Sequence, residues 1–133
     1  MHKGRCLCGR VKYQYDGEIT EVSRCYCTQC QKAQGSAFVA VARVESDKLT
    51  FVQGEDCLKA FSSTPGKVRV FCSECGSPLY SARDDLPQFR RLRLGTLDTE
   101  ISPDRQVHAF VGEKPGWYDI DDDYEQFPGR AIT

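Results

Sequence analysis

The chain reads as a mainly β protein of small antiparallel sheets with little helix. Three observations predict this. Short runs of alternating or continuous apolar residues follow one another, separated by turn residues. One segment alone carries helix start and stop signals. The cysteines come in closely spaced groups, set to hold short elements together.

The strands are taken in chain order. "RVKYQY" alternates, so Val11, Tyr13 and Tyr15 share one face. "SAFVAVARV" is a nearly continuous apolar run, suited to a strand covered on both sides. "LTFVQ", "CLKAF" and "KVRVF" follow at short spacing. "RLRLGTL" alternates again, setting Leu92 and Leu94 against Arg91 and Arg93, and "VHAFV" is the last clear strand. The helix signal is "TQCQKAQG", with Thr28 as N-cap and Gly35 as the C-terminal stop. The tail around Asp121 to Asp123 is acidic. It also carries Trp117, Tyr118, Ile120, Tyr124 and Phe127, so it is expected to form an ordered arm lying across the domain.

The chain has 133 residues, which fits a single domain over 1–133. With 18 basic and 19 acidic residues its formal net charge is -1, which argues against a nucleic-acid partner. "MHKGRCLCGR" has no apolar h-region and does not read as a secretory signal. "AFVAVARV" is too short to span a bilayer, so no membrane partner is expected and the expected location is cytoplasmic.

In that setting the eight cysteines are expected to be metal ligands or catalytic groups rather than disulfides. An extended C-x-C also holds its Cα atoms roughly 6.6 Å apart, near the upper limit for a bridge. The groups are Cys6 with Cys8, Cys25 with Cys27 and Cys30, Cys72 with Cys75, and Cys57 alone. Gly9 follows Cys8 and Gly76 follows Cys75, and glycine permits the sharp turn a metal knuckle needs. Each pair looks like half of a four-cysteine zinc site, and two halves from distant parts of the chain make a closed tetrahedron.

That pairing leaves Cys25, Cys27 and Cys30. Three thiolates can hold one zinc and leave a fourth position for water or substrate, which is the logic of a catalytic zinc. Such a site is formally anionic and a weak Lewis acid, so its natural guest is another thiolate. The bland alternative closes the site with Cys57 or His108. Another has the trio reactive without metal. His108 faces either a pocket, as a proton-transfer group, or a structural hydrogen bond. Arg24, Lys32, Arg91 and Arg93 suit a carboxylate-bearing ligand, but exposed basic residues usually only solubilise.

"GRCLCGRVKYQYDG", "RCYCTQCQKAQGSAF", "FCSECGSPLY" and "VHAFVGEKPGWYDIDDDYEQF" resemble, in this order, motifs of the glutathione-dependent formaldehyde-activating enzyme family. The resemblance implies the Mss-like β-tent fold. It implies two Zn2+ per chain: a structural zinc on Cys6, Cys8, Cys72 and Cys75, and a catalytic zinc on Cys25, Cys27 and Cys30. It also implies a carbon–sulfur lyase whose small-molecule partner is a thiol, glutathione, added to formaldehyde. On the chemistry of the residues, His108 or a bound water is the candidate proton donor. Two other readings stand beside it. One is a non-catalytic zinc-stabilised binding module. The other is redox work like that of the methionine sulfoxide reductases, for which Cys57 is the unclustered candidate.

Overall fold

The structure is a computed structural model that describes residues 1–131. Among the described residues the strands are β1 (His2–Arg5), β2 (Lys12–Tyr15), β3 (Glu21–Cys25), β4 (Val39–Glu45), β5 (Leu49–Gln53) and β6 (Leu58–Thr64). They continue with β7 (Lys67–Cys72), β8 (Pro78–Arg83), β9 (Phe89–Arg93), β10 (Arg105–Ala109) and β11 (Glu125–Gln126). One α-helix, α1 (Thr28–Gln34), follows β3. The mainly β class expected from the sequence is what the chain forms.

The chain divides into two compact units. The first comprises Met1–Ile19 and Ala42–Ser102. Its β1, β2 and β5 make a three-stranded antiparallel sheet in the order β1-β2-β5. Its β6, β7, β8 and β9 form an antiparallel meander. The alternation of "RVKYQY" decides the core, because Val11, Tyr13 and Tyr15 are all buried. They pack with Ile19, Val44, Leu49, Leu79 and Leu92, and with the sulfurs of Cys6 and Cys72. Each buried tyrosine finds a polar partner: Tyr13 Oη lies 2.7 Å from Thr96 Oγ1, and Tyr15 Oη accepts the Glu45 amide at 3.1 Å.

The second unit comprises Thr20–Val41 and the chain from Pro103 onward. Its strands run β11-β10-β3-β4. β3 and the start of β4 are antiparallel, but β10 is parallel to both β3 and β11. An all-antiparallel reading therefore misses these two pairings. A parallel pair needs a long connection, which no local pattern announces. The tail is ordered as expected: β11 lies along β10, and the Phe127 amide donates to the His108 carbonyl at 2.9 Å.

Two local expectations are corrected. Thr28 is not the N-cap. Cys27 takes that place in extended conformation (φ -62, ψ 151), and its Sγ accepts the Cys30 amide at 3.4 Å. Thr28 is the first helical residue, and its amide donates to Glu113 Oε1 at 3.0 Å. Gly35 ends the helix in the left-handed conformation, as expected. In "RLRLGTL", Leu92 is buried but so is Arg93, whose Nη1 donates to Ser81 Oγ at 3.0 Å and to the Arg91 carbonyl at 3.2 Å. Period-2 alternation misassigns Arg93 because a guanidinium with hydrogen-bond partners can be buried.

Candidate metal centres

The first centre is built from two turns of the first unit. After β1, the Gly9 amide returns to the Cys6 carbonyl at 3.1 Å. After β7, the Gly76 amide returns to the Cys72 carbonyl at 2.8 Å. Gly9 and Gly76 both sit at φ +79, the conformation that only glycine adopts freely, so the sequence cue was physically sound. These turns bring the four sulfurs of Cys6, Cys8, Cys72 and Cys75 within 4.8 Å of one another. Cys6 Sγ and Cys8 Sγ are 3.5 Å apart, and Cys8 Sγ and Cys72 Sγ 3.9 Å. Zinc–sulfur bonds of about 2.3 Å put the corners of a tetrahedron roughly 3.8 Å apart, so the four thiols fit a zinc ion.

Charge supports the fit. Burial pushes the Cys75 thiol up, but hydrogen bonds from the Ser77 side chain and amide and the Cys8 amide outweigh it and hold Cys75 down at about 5. At Cys8 the Arg10 amide favours the thiolate, yet burial and the neighbouring sulfurs push it up to about 12. Thiolates this close resist ionising together until a cation shares the site.

The second centre lies in the second unit. Cys25 ends β3, Cys27 caps α1, and Cys30 sits in its first turn. Their sulfurs also converge within 4.8 Å, and among the described residues no fourth ligand joins them. Cys30 packs on Val39 and Val41, with Cys25 and Cys27 beside it, so one side of the cluster is apolar. The sulfurs of Cys27 and then Cys30 push the Cys25 thiol far up, with burial adding to them. This soft, all-sulfur set fits zinc as well.

Neither residue considered for closing the trio is there. Cys57 packs against the core of the first unit, its amide donating to the Gly54 carbonyl at 2.9 Å. Burial, then the charges of Asp56 and Glu74, raise its thiol above the usual range, away from nucleophilic character. His108 is 1% exposed and spoken for on both sides. Its Nδ1 lies 2.8 Å from Tyr26 Oη, and its Nε2 lies 2.9 and 3.1 Å from the Asp122 carboxylate. A carboxylate only accepts, so Nε2 carries a proton, and in the neutral ring Nδ1 accepts from the Tyr26 hydroxyl. In the parallel pairing Ala109 stands beside Cys25 and His108 beside Arg24. Successive side chains alternate, so His108 projects to the face opposite Cys25.

Sequence reasoning passed over Tyr26 and Asp122. Tyr26 stands between two clustered cysteines, whose spacing is the stronger signal. Asp122 sits in an acidic run that reads as solvated. Burial, then Tyr118, pushes the Tyr26 phenol up to about 12. Burial would raise the Asp122 carboxyl, but the His108 ring and the Tyr124 amide outweigh this and hold it below the usual range. Of the basic residues, Arg24 Nη2 donates to Gln106 Oε1 at 2.8 Å and its guanidinium lies 5.3 Å from the Tyr124 ring centroid. Lys32 sits in the last turn of α1.

Fold and site together define a β protein with two cysteine centres fit for metal, one with four thiols and one with three. The chain belongs to the glutathione-dependent formaldehyde-activating enzyme family, which residues 1–113 match. Over 121 residues it is 29% identical to an uncharacterized lyase of Schizosaccharomyces pombe, covering 90% of this chain and 85% of that protein. It is 23% identical to a putative glutathione-dependent formaldehyde-activating enzyme of Talaromyces marneffei and 24% to one of Colletotrichum graminicola. The chain spans 54% of the length of each of those two proteins. Its fold is similar to the crystal structure of a Rhodobacter sphaeroides protein, with a TM-score of 0.62 and 22% identity over 74% of this chain and 89% of that one. Among the described residues no helix is long and apolar enough to cross a membrane.

Proposed function

We propose that this chain is a carbon–sulfur lyase that, in the synthetic direction, adds a thiol to formaldehyde or a similar small carbonyl. Glutathione is the thiol the family name supports. One observation carries the reading: the sulfurs of Cys25, Cys27 and Cys30 converge, and among the described residues no fourth ligand joins them.

The reaction forms a carbon–sulfur bond between the substrate sulfur and the carbonyl carbon. The carbonyl π electrons move onto oxygen, and the proton lost from the thiol ends on that oxygen. When bound to Cys25, Cys27 and Cys30, zinc supplies a soft Lewis acid that favours the deprotonated form of a thiol. The chain itself does the positioning. The Cys30 amide holds Cys27 Sγ, while Gln31 Nε2 donates to the carbonyls of Tyr26 at 2.6 Å and Glu113 at 2.9 Å. Val39 and Val41 back the cluster with apolar surface, which keeps water from that side. Holding two reactants together removes much of the entropic barrier to a bimolecular addition. Both ring nitrogens of His108 are bonded within the chain, to Tyr26 and Asp122, which favours a positioning role for this residue.

The four-thiol centre has the structural part in this reading, giving two zinc ions per chain. Cysteines grouped as metal ligands suit a reducing compartment, and we place the protein in the cytoplasm.

Calorimetric titration of zinc-replete protein with glutathione tests the proposal, alongside elemental analysis. Two zinc ions, glutathione binding, and loss of both that binding and one zinc in Cys27→Ala are the expected results. A single zinc, lost only when Cys72 is replaced, together with no glutathione binding, overturns it in favour of a zinc-stabilised binding module.

A further inference from the structure

We infer that Asp122, His108 and Tyr26 form one positioning relay, through which the acidic C-terminal arm sets the geometry of the Cys25–Cys27–Cys30 centre. The inference rests on reading that trio as a metal centre, and its test separates the two.

Tyr26 is the residue between two of the three sulfurs, so any rotation of its backbone moves Cys25 and Cys27 relative to each other. It is held at three points. Its amide donates to the Ala109 carbonyl at 3.0 Å, and its carbonyl accepts from Gln31 Nε2 at 2.6 Å. Its hydroxyl ends on His108 Nδ1 at 2.8 Å. The first two contacts fix the peptide planes and the third fixes the side chain. Phe38 and Tyr118 confine the ring, with centroids 5.3 and 6.1 Å away.

The third contact is only as firm as the histidine. His108 is buried, and a buried imidazole needs both nitrogens satisfied. Asp122 supplies the second partner with both carboxylate oxygens, which fixes the ring tautomer and leaves Nδ1 aimed at Tyr26. A carboxylate that orients a histidine in this way tunes what the other nitrogen does.

Asp122 is itself fixed. Its Oδ1 accepts the Tyr124 amide at 3.0 Å, the Tyr124 ring lies tilted beside His108 with centroids 6.2 Å apart, and β11 pairs alongside β10. The arm carrying Asp122 lies beyond residue 113, where the family match ends. The role assigned to it therefore comes from this chain's own contacts.

The test uses the zinc-loaded full chain with Asp122→Ala, Tyr26→Phe and the double variant. Tyr26→Phe keeps the ring packing and deletes only the hydroxyl. Zinc release is followed by transfer to a chromophoric chelator, with release from the four-cysteine centre as an internal control on folding. Each single variant is expected to release the trio's zinc faster by about tenfold, the lower end of what orienting partners contribute, with the control unchanged. The double variant is expected to match the singles, because either change cuts the same relay. Wild-type release rates in both singles, or effects that multiply in the double, overturn the relay. If the chain holds one zinc, the metal-centre reading fails, but the relay is still read by amide hydrogen exchange. Asp122→Ala should then speed exchange at residues 25–30, and unchanged exchange there overturns it.

Discussion

The Leu7 amide donates to Ser77 Oγ at 2.8 Å, joining two turns 70 residues apart in sequence. Ser77 also places its hydroxyl 3.3 Å from Cys75 Sγ, and its carbonyl accepts the Cys72 amide at 3.0 Å. One side chain thus touches both halves of the four-thiol centre.

Ser77→Ala should therefore weaken that centre selectively. The Ser77 hydroxyl contacts the exposed Leu7 amide and the Cys75 sulfur, and its loss is worth about 1 kcal/mol. Denaturant unfolding of the zinc-loaded protein should show a drop of that size. Chelator competition should show weaker zinc retention at Cys6, Cys8, Cys72 and Cys75, with the trio unaffected.

Removing metal from the four-thiol centre should unfold the first unit. Cys6 and Cys72 are part of its core, packed with Val11, Tyr13, Leu79 and Leu92. Structural zinc contributes on the order of 10–16 kcal/mol of apparent binding free energy, as large as the whole stability of a typical domain. Cys72→Ser should abolish hydrogen-exchange protection in β2, β7 and β8. Protection retained there after zinc loss would show that the apolar core holds this unit unaided.

Gly54→Ala should cost more than Gly76→Ala. Both glycines have positive φ, +73 and +79, so each alanine carries roughly 1–2 kcal/mol of left-handed strain. At Gly76 a Cβ meets nothing within 4 Å. At Gly54 it would stand 2.1 Å from the Arg10 carbonyl oxygen, a backbone atom that cannot turn aside. Melting temperatures of the two variants decide the order.

Tyr13 should make the fold sensitive to alkali. Its phenol is pushed up to about 12, chiefly by burial, against an ordinary value near 10. A raised folded pKa gives stability that is complete below pH about 10 and is lost as pH rises through about 12, a loss on the order of 2–3 kcal/mol. Tyr13→Phe should flatten that part of the pH–stability curve while losing the Thr96 hydrogen bond. An unchanged slope would place the alkaline loss elsewhere, for instance at Tyr26.

Spacing made much of this legible. C-x-C and C-x-x-C pairs each followed by glycine mark metal knuckles through local geometry alone. The alternation of Val11, Tyr13 and Tyr15 likewise marks a buried face. The helix was legible, but its cap was not: Thr28 is the better capping residue by type, yet the loop that gathers the sulfurs places Cys27 there. Strands β1, β3, β8 and β11 escaped notice because short strands get their stability from partners rather than from their own pattern.

By itself, the sequence determined which residues are chemically able to act, because ligand type, knuckle spacing and glycine placement are local properties. Tertiary structure alone decided which of them meet. Pairing β10 parallel to β3 brings His108 to Tyr26 across 82 residues, and the ordered arm brings Asp122 to the other side of the same ring. It also gave Cys57 and His108 partners of their own, Cys57 in the core of the first unit and His108 on Tyr26 and Asp122. Those outcomes depend on register and on the burial of polar groups that must be paired, and neither is a property of any short stretch of chain.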